Sequence, residues 1–294
     1  MNALIVERGT TKTLKELPEY SIALDGFVQG PELDLAGHRF SFDHHDKVIR
    51  MITSATCRQV LDAILLGLDP TAYNVYVNDV DGDTALSVWL LQNPHMASAP
   101  IVRELVDVVA AMDAHGPAYP VSNAALCTAF YEGAMASERN ARFKKTYATL
   151  DLMNLLEECV GRIGQLLAGG AGAFPEKKDE RTYTVAKQHG SWCMASSESY
   201  IFDLLYKNEY TAAIAYRPLP DGSYEYTIGK KSDLVDFPVG PHTLPGTILH
   251  ALCQVEPGWG GGSTIGGAPR NADGSRSKLT PREVLAIAEK IALK

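Results

Sequence analysis

The chain has 294 residues, with 35 acidic against 27 basic side chains and a formal net charge of −8. A net charge of this sign argues against a broad electrostatic contact with duplex nucleic acid. Apolar residues make up 46% of the sequence, which is ordinary for a globular protein and sufficient for two domains with separate cores.

Five scattered cysteines, with no C-x-x-C pair among them, argue against a disulfide framework or a thiolate zinc site and favour a reducing cytosol. The apolar run near the N-terminus is too short for the core of a signal peptide, and no segment approaches the roughly 20 apolar residues of a membrane span. We therefore expect a soluble, cytoplasmic protein that does not bind membranes.

The first half of the sequence alternates between strand and helix patterns. An apolar run that ends at Asp25 predicts an early strand, and apolar side chains at helical spacing over 54–68 predict a helix capped by Ser54. Residues 74–79 predict a strand that runs into the acidic turn "NDVDGD", after which a helix should begin near Thr84. Strand, acidic turn and helix form the repeating unit of a parallel α/β sheet, whose sites lie at the carboxyl ends of strands.

Two further helices are predicted before a break in the pattern. Pro100 suits a first helical position and Gly116 suits a C-terminal stop, so a helix is expected between them. A long helix is expected from about Ser137 to Leu167. Residues 168–181 combine small residues, a proline and a charge cluster, which is the best linker signal in the chain.

The remaining residues have an α+β pattern. In chain order, the predicted elements are strands at "TYTVA" and "SWCMA", a helix at "ESYIFDLLYKN", two strands at "TAAIAYR" and "SYEYTIG" joined by a hairpin turn, a helix at "PGTILHALCQV", a glycine-rich loop at "PGWGGGSTIGGAPR" and a final helix. Thr280 and Glu283 have capping-box spacing at the start of that last helix.

The segment "FDHHDK" contains two adjacent histidines, His44 and His45, between Asp43 and Asp46. Neighbouring side chains on a strand or helix point in different directions, so such a pair rarely serves packing alone. Aspartate and histidine are good ligands for Mn, Fe or Zn. An exposed polar turn is the alternative, and the motif by itself leaves it open.

The acidic turn places Asp79, Asp81 and Asp83 at alternate positions after the predicted strand. Three clustered carboxylates repel one another, and a cation usually offsets that repulsion. The alternative is a solvated turn that caps the next helix, with Asp83 as the cap. Because an Asp-His-His segment precedes the trio, we favour a metal site.

Two other aspartates are candidate ligands. Asp25 ends the early strand, although "LDG" is also an ordinary turn. Asp113 and His115 lie near the end of a predicted helix, where a histidine can equally complement the helix dipole.

The glycine-rich loop is a candidate anion-binding site. Gly260, Gly261 and Gly262 would supply backbone N–H groups, while Ser263 would supply a hydroxyl and Arg270 a cation. A plain flexible loop is the alternative.

The "FDHHDK" motif, the "SAT" that leads the next helix and the late glycine-rich loop together resemble the DHH phosphoesterase superfamily. The resemblance implies a parallel-sheet, DHH-like metal-binding α/β domain over 1–170, a linker over 171–182 and a smaller α+β DHH-associated-like substrate domain over 183–294. It also implies one or two divalent ions, most often Mn²⁺, held between the domains, and a hydroxide that attacks phosphorus.

The resemblance also implies residue roles. His44 would bind metal together with Asp79 or Asp81, with Asp25 and Asp113 as further candidate ligands. His45, Asp43 and Arg270 would act in catalysis. The glycine loop with Ser263 and Arg270 would bind a small phosphorylated substrate or a short nucleotide. The sequence leaves the oligomeric state open, with a homo-oligomer as one option.

The chain departs from the family pattern in four respects. Its Asp-His-His motif comes unusually early, and the acidic D-x-D-G-D turn lies after that motif, where the family normally has one aspartate. A D-x-D pair well before the Asp-His-His motif is not evident, and Ser263 stands where the family's G-G-G-H has histidine. We expect a metal-dependent hydrolase of a small phosphoester or short nucleotide. The alternatives are a non-catalytic ligand-binding or regulatory protein on the same scaffold, and a metal-dependent hydrolase of a non-phosphate substrate.

Overall fold

The structure, a computed structural model, describes residues 1–49, 51–174 and 179–293. The chain divides into two compact units, Met1–Lys178 and Asp179–Lys294. Both units are mixed α/β. Part of the predicted linker, residues 175–178, lies outside the described residues. In the part of the chain that is described, no helix is both long and apolar enough to cross a membrane.

The first unit contains a five-stranded sheet. Its strands are β1 (Ala3–Val6), β2 (Ser21–Leu24), β3 (Glu32–Asp34), β4 (Arg39–Phe42) and β5 (Asn74–Val77). They lie in the order β1-β5-β2-β4-β3. The first four strands in this order run parallel, whereas β3 pairs antiparallel with β4 at the edge. The two predicted strands of this region, β2 and β5, are confirmed, and the predicted parallel sheet is a mixed one.

The first unit also contains six α-helices among its described residues. They are α1 (Thr56–Leu65), α2 (Gly82–Gln92), α3 (Pro100–His115), α4 (Ala124–Thr128), α5 (Ala136–Phe143) and α6 (Leu152–Gly169), with a π-helical segment over Ala129–Ala134. The helix predicted between Pro100 and Gly116 is confirmed, and α2 begins at Gly82, earlier than the predicted Thr84.

The single helix predicted over Ser137–Leu167 is wrong, because the chain turns between α5 and α6. Lys145 has a left-handed backbone with φ of +58°, which ends the first helix. Asp151 then caps α6, since its side chain accepts the backbone N–H of Asn154 at 3.0 Å.

Both faces of the central strands β2 and β5 are largely buried. Successive side chains of a strand point to opposite faces. Accordingly, Ile22 and Val75 belong to the large apolar cluster that includes residues of α1, α2, α3 and α6, whereas Ala23 and Tyr76 pack with Phe27 on the other face. Continuous apolar strands are what a sheet covered on both faces requires.

The parallel strands bring the candidate residues to one edge of the sheet. β5, β2 and β4 are neighbours, so their carboxyl ends lie side by side. Asp25 directly follows β2, Asp43 directly follows β4, and the acidic turn follows β5.

The second unit has a six-stranded mixed sheet in the order β10-β11-β9-β8-β7-β6. Its strands are β6 (Thr184–His189), β7 (Trp192–Ser196), β8 (Ala212–Pro218), β9 (Tyr224–Lys230), β10 (Gly260–Gly261) and β11 (Ile265–Gly267), and its helices are α7 (Phe202–Lys207), α8 (Ile248–Val255) and α9 (Pro281–Ala292). The predicted hairpin of β8 and β9 and the capping box at Thr280 are confirmed. The predicted glycine-rich loop instead carries β10 and β11, which pair antiparallel.

Candidate metal centre

Five side chains of the first unit converge at the carboxyl edge of its sheet: Asp25, His44, His45, Asp83 and Asp113. They form two overlapping groups, Asp25–His44–His45 and His44–Asp83–Asp113. Within each group the candidate ligand atoms lie within 4.8 Å of one another. His44 belongs to both groups and is therefore the centre of the arrangement.

His44 is fully buried and surrounded by carboxylates. Its Nε2 lies 2.7 Å from Oδ2 of Asp113, 3.5 Å from Oδ2 of Asp83 and 3.7 Å from Oδ1 of Asp25. Neither ring nitrogen forms a hydrogen bond of acceptable geometry with any residue that the structure describes, the 2.7 Å contact included. Because buried polar atoms nearly always have a partner, this donor set fits a cation that binds the imidazole.

The side chain of Asp25 is largely buried, at 6% exposed, and three side chains hold it. Its Oδ1 lies 3.1 Å from Nε2 of His45 and accepts the hydroxyl of Thr56 at 2.9 Å, while its Oδ2 accepts the hydroxyl of Thr84 at 3.2 Å. Burial raises the pKa of Asp25, but the hydrogen bond to His45 and the charges of His45 and His44 outweigh burial, so the pKa lies below its ordinary value. Asp25 is therefore an oriented carboxylate whose ionised form is favoured, which makes it a candidate ligand.

Asp83 caps α1 from a neighbouring helix. Its Oδ2 accepts the backbone N–H of Thr56 and its Oδ1 that of Cys57, each at 2.7 Å. Burial, together with the nearby Asp25 and Asp113, raises the pKa of Asp83 to about 7. The predicted Ser54 cap of α1 is wrong, because the helix begins at Thr56 and a side chain distant in sequence satisfies its first N–H groups.

The three aspartates of the acidic turn make different contacts. Asp81, rather than Asp83, caps α2, since its Oδ1 accepts the backbone N–H of Thr84 at 2.9 Å. Burial and then the charges of Asp25, Asp83 and Asp113 raise the pKa of Asp81 well above its ordinary value. It therefore lies beside the cluster without belonging to either group of candidate ligands.

Asp79 is not brought into the cluster. Its half-exposed carboxylate accepts the hydroxyl of Tyr147 and lies 3.1 Å from the guanidinium of Arg142. Asp79 or Asp81 was predicted to bind metal. In the structure, Asp83 is the aspartate of this turn that lies among the candidate ligands. No local sequence pattern indicated which of the three aspartates would join the candidate ligands.

Asp43, predicted to be catalytic, anchors the turn that carries the histidines. Its Oδ2 accepts the backbone N–H groups of Gly30 at 2.9 Å and Asp46 at 3.2 Å, and its Oδ1 accepts that of His45 at 3.1 Å. The carboxylate is buried and makes these contacts with backbone only. It therefore fixes the backbone of the turn at His45 and Asp46.

The predicted substrate-binding glycines lie in the second unit. A Cβ on Gly261, whose φ is +146°, would stand 2.3 Å from Cα of Gly266, so close packing of the hairpin requires this glycine. Gly260 and Gly262 have open space around a Cβ, so packing does not require them. Ser263 and Arg270 are exposed.

Two threonines that contact Asp25 were missed by sequence reasoning. Thr56 belongs to the "SAT" segment noted above, whereas Thr84 was seen only as the start of a helix. Comparisons with known protein families, with curated proteins and with solved structures find no match to this chain.

Proposed function

We propose that the chain is a divalent-metal-dependent hydrolase of a small phosphorylated compound or short nucleotide, and a divergent cytoplasmic member of the DHH superfamily. The observation that carries this proposal is the burial of His44 among three carboxylates, with no hydrogen bond from either ring nitrogen to the described residues. Mixed Asp and His ligands suit Mn²⁺ or a similar transition ion.

The ligand geometry is compatible with one or two ions. An imidazole nitrogen has a single lone pair, so Nε2 of His44 serves one ion, which Asp83 and Asp113 would complete. Asp25 and His45, 3.1 Å apart, would hold a second ion. A divalent cation, when bound, lowers the pKa of a water ligand and offsets the charge of a phosphoryl group.

The exposure of the two histidines indicates which of them a substrate could contact. The side chain of His45 is 34% exposed, whereas His44 is fully buried. In the one-ion arrangement, with the ion on His44, Asp83 and Asp113, the exposed His45 can donate a hydrogen bond to a substrate oxygen, while Asp43 fixes its backbone. The net charge of −8 favours a small anion held locally over a long nucleic acid.

The test begins with elemental analysis of the purified protein. Phosphate release from a panel of nucleotides and phosphoesters is then measured with added Mn²⁺. We expect His44→Ala to lose both Mn²⁺ binding and turnover. The matched control is His38→Ala, because His38 stacks on Tyr20 and belongs to neither group. Retention of both properties in His44→Ala would show that the metal assignment is wrong.

The alternative functions give a different result in the same experiment. A protein that binds Mn²⁺ through His44 but hydrolyses no phosphoester would be a ligand-binding protein or a hydrolase of another substrate class. A panel of amides and carboxylic esters then separates these two, since the ligand-binding protein turns over neither.

A further inference from the structure

The hydroxyls of Thr56 and Thr84 hold opposite oxygens of one candidate ligand. Thr56 Oγ1 donates to Oδ1 of Asp25 at 2.9 Å, and Thr84 Oγ1 donates to Oδ2 at 3.2 Å. Both threonines are buried, Thr56 fully. A carboxylate anchored at both oxygens cannot rotate about its Cβ–Cγ bond without breaking one of the two hydrogen bonds.

The backbone of Thr56 contacts the second group of candidate ligands. Its N–H donates to Oδ2 of Asp83 at 2.7 Å. The same residue therefore contacts one carboxylate of each group, Asp25 through its side chain and Asp83 through its main chain. Its hydroxyl has another acceptor in the carbonyl of Phe42, but at 3.4 Å that contact is longer than the one to Asp25.

The positions of these threonines explain why their hydroxyls are available. Within a helix, a threonine hydroxyl commonly bonds the carbonyl of the preceding turn. Thr56 is the first residue of α1 and Thr84 lies in the first turn of α2, so neither has a preceding helical turn of its own. Both hydroxyls are directed to Asp25 instead.

We propose that Thr56 and Thr84 are positioning residues that orient Asp25 for a divalent cation, and that Thr56 links the two candidate ion positions. This inference rests on the proposed function, because it requires that Asp25 binds metal. Hydrogen bonds to metal ligands typically contribute 10–100-fold to metal affinity.

The experiment measures the affinity of chelator-treated, full-length protein for Mn²⁺ alone by calorimetric titration. Thr56→Val removes the hydroxyl while keeping the side-chain shape and the N–H to Asp83, and Thr56→Ser keeps the hydroxyl. We expect the valine variant to bind Mn²⁺ about 10–100-fold more weakly and the serine variant to stay close to wild type. Thr84→Val and Thr84→Ser should show the same contrast.

The matched control is Thr71→Val. Thr71 also donates its hydroxyl to an aspartate, Oδ1 of Asp69 at 2.7 Å, but this pair belongs to neither group of candidate ligands. Its removal should leave Mn²⁺ affinity unchanged. Circular dichroism of each variant establishes that the comparison is made between folded proteins.

The outcomes separate this inference from the proposed function. If wild type binds Mn²⁺ and Thr56→Val and Thr84→Val bind it equally well, the inference is overturned and the metal site stands. A serine variant that weakens as much as its valine counterpart also overturns it, because the hydroxyl would then not be the cause. If wild type binds no Mn²⁺, the proposed function is overturned and this inference with it.

Discussion

The hydroxyl of Tyr147 lies 2.9 Å from the backbone nitrogen of Val80 and 3.0 Å from its backbone oxygen. One side chain thus contacts both polar backbone groups of a single residue. Arg142 reinforces the contact, since it donates to the same carbonyl at 3.0 Å and to the carboxylate of Asp79 at 3.1 Å. The turn after β5 is therefore anchored from the segment around α5, and Asp79 contacts that segment rather than the candidate ligands.

Removal of this anchor should destabilise the first unit. In Tyr147→Phe the N–H of Val80, a fully buried residue, loses the hydroxyl that accepts its hydrogen bond. A buried donor left without a partner costs about 1–3 kcal/mol, and we expect the free energy of unfolding to fall by that amount in urea denaturation. Tyr119→Phe, at a half-exposed tyrosine, is the control and should unfold like wild type. Equal stability of the two variants would contradict the anchoring role.

The stability of the metal-free protein should depend on pH through Asp83. Its pKa is about 7 in the folded state, against an ordinary value of about 4 in the unfolded chain. Between these values the folded state binds more protons, so the free energy of unfolding decreases as pH rises from about 4 to about 7. Above about pH 7 the free energy of unfolding has decreased by the full contribution of Asp83.

Added Mn²⁺ provides a second test of this effect. Because a cation offsets the ionised carboxylate, the increase in melting temperature caused by Mn²⁺ should be larger at about pH 7.5 than at about pH 5. Thermal unfolding with chelator and with Mn²⁺ at both pH values gives the comparison. An equal increase at both would show that Asp83 does not titrate as described.

Substitution of two adjacent glycines in the hairpin of β10 and β11 should have different effects on stability. Gly261→Ala would place a Cβ against the backbone of Gly266 and Ile265 at a φ of +146°. Overpacking of this kind costs about 1–3 kcal/mol, which thermal denaturation would detect. Gly262→Ala meets no atom within 4 Å and should have little effect. Equal tolerance at both positions would mean that the hairpin relaxes freely.

The capping box of α9 provides a test in the second unit. The backbone N–H of Thr280 donates to Glu283 at 2.7 Å, and the hydroxyl of Thr280 caps the N–H of Glu283. Thr280→Ala should lower the free energy of unfolding by about 0.5–2 kcal/mol, and Thr280→Ser should retain most of the stability. Urea denaturation of both variants checks the difference, and a serine variant as unstable as alanine would argue against the cap.

Local chemistry accounts for what the sequence predicted correctly in the fold. Pro100 and Gly116 bound α3 and the Thr280–Glu283 box begins α9, because starts and stops of helices depend on residues only a few positions apart. The break between α5 and α6 was missed since a lysine, Lys145, takes a left-handed backbone conformation that its residue type does not predict.

The candidate site was predicted in part for the same reason. His44, Asp25 and Asp113 follow from residue type and from their positions at ends of predicted elements. That Asp83 rather than Asp79 joins the candidate ligands depends on two contacts. Tyr147 binds Asp79 outside the cluster, and the start of α1 binds Asp83 within it. Such contacts form only when distant segments pack, so no local pattern indicates them.

Under the proposed function, the cap that Asp83 provides to α1 has a consequence for variants of this chain that have lost the activity. Such a variant would still need an acceptor for the first N–H groups of that helix, so an aspartate at this position is a poor marker of retained activity. In the proposed metal site His44 is the better marker, because its ring nitrogens make no hydrogen bond with the described residues.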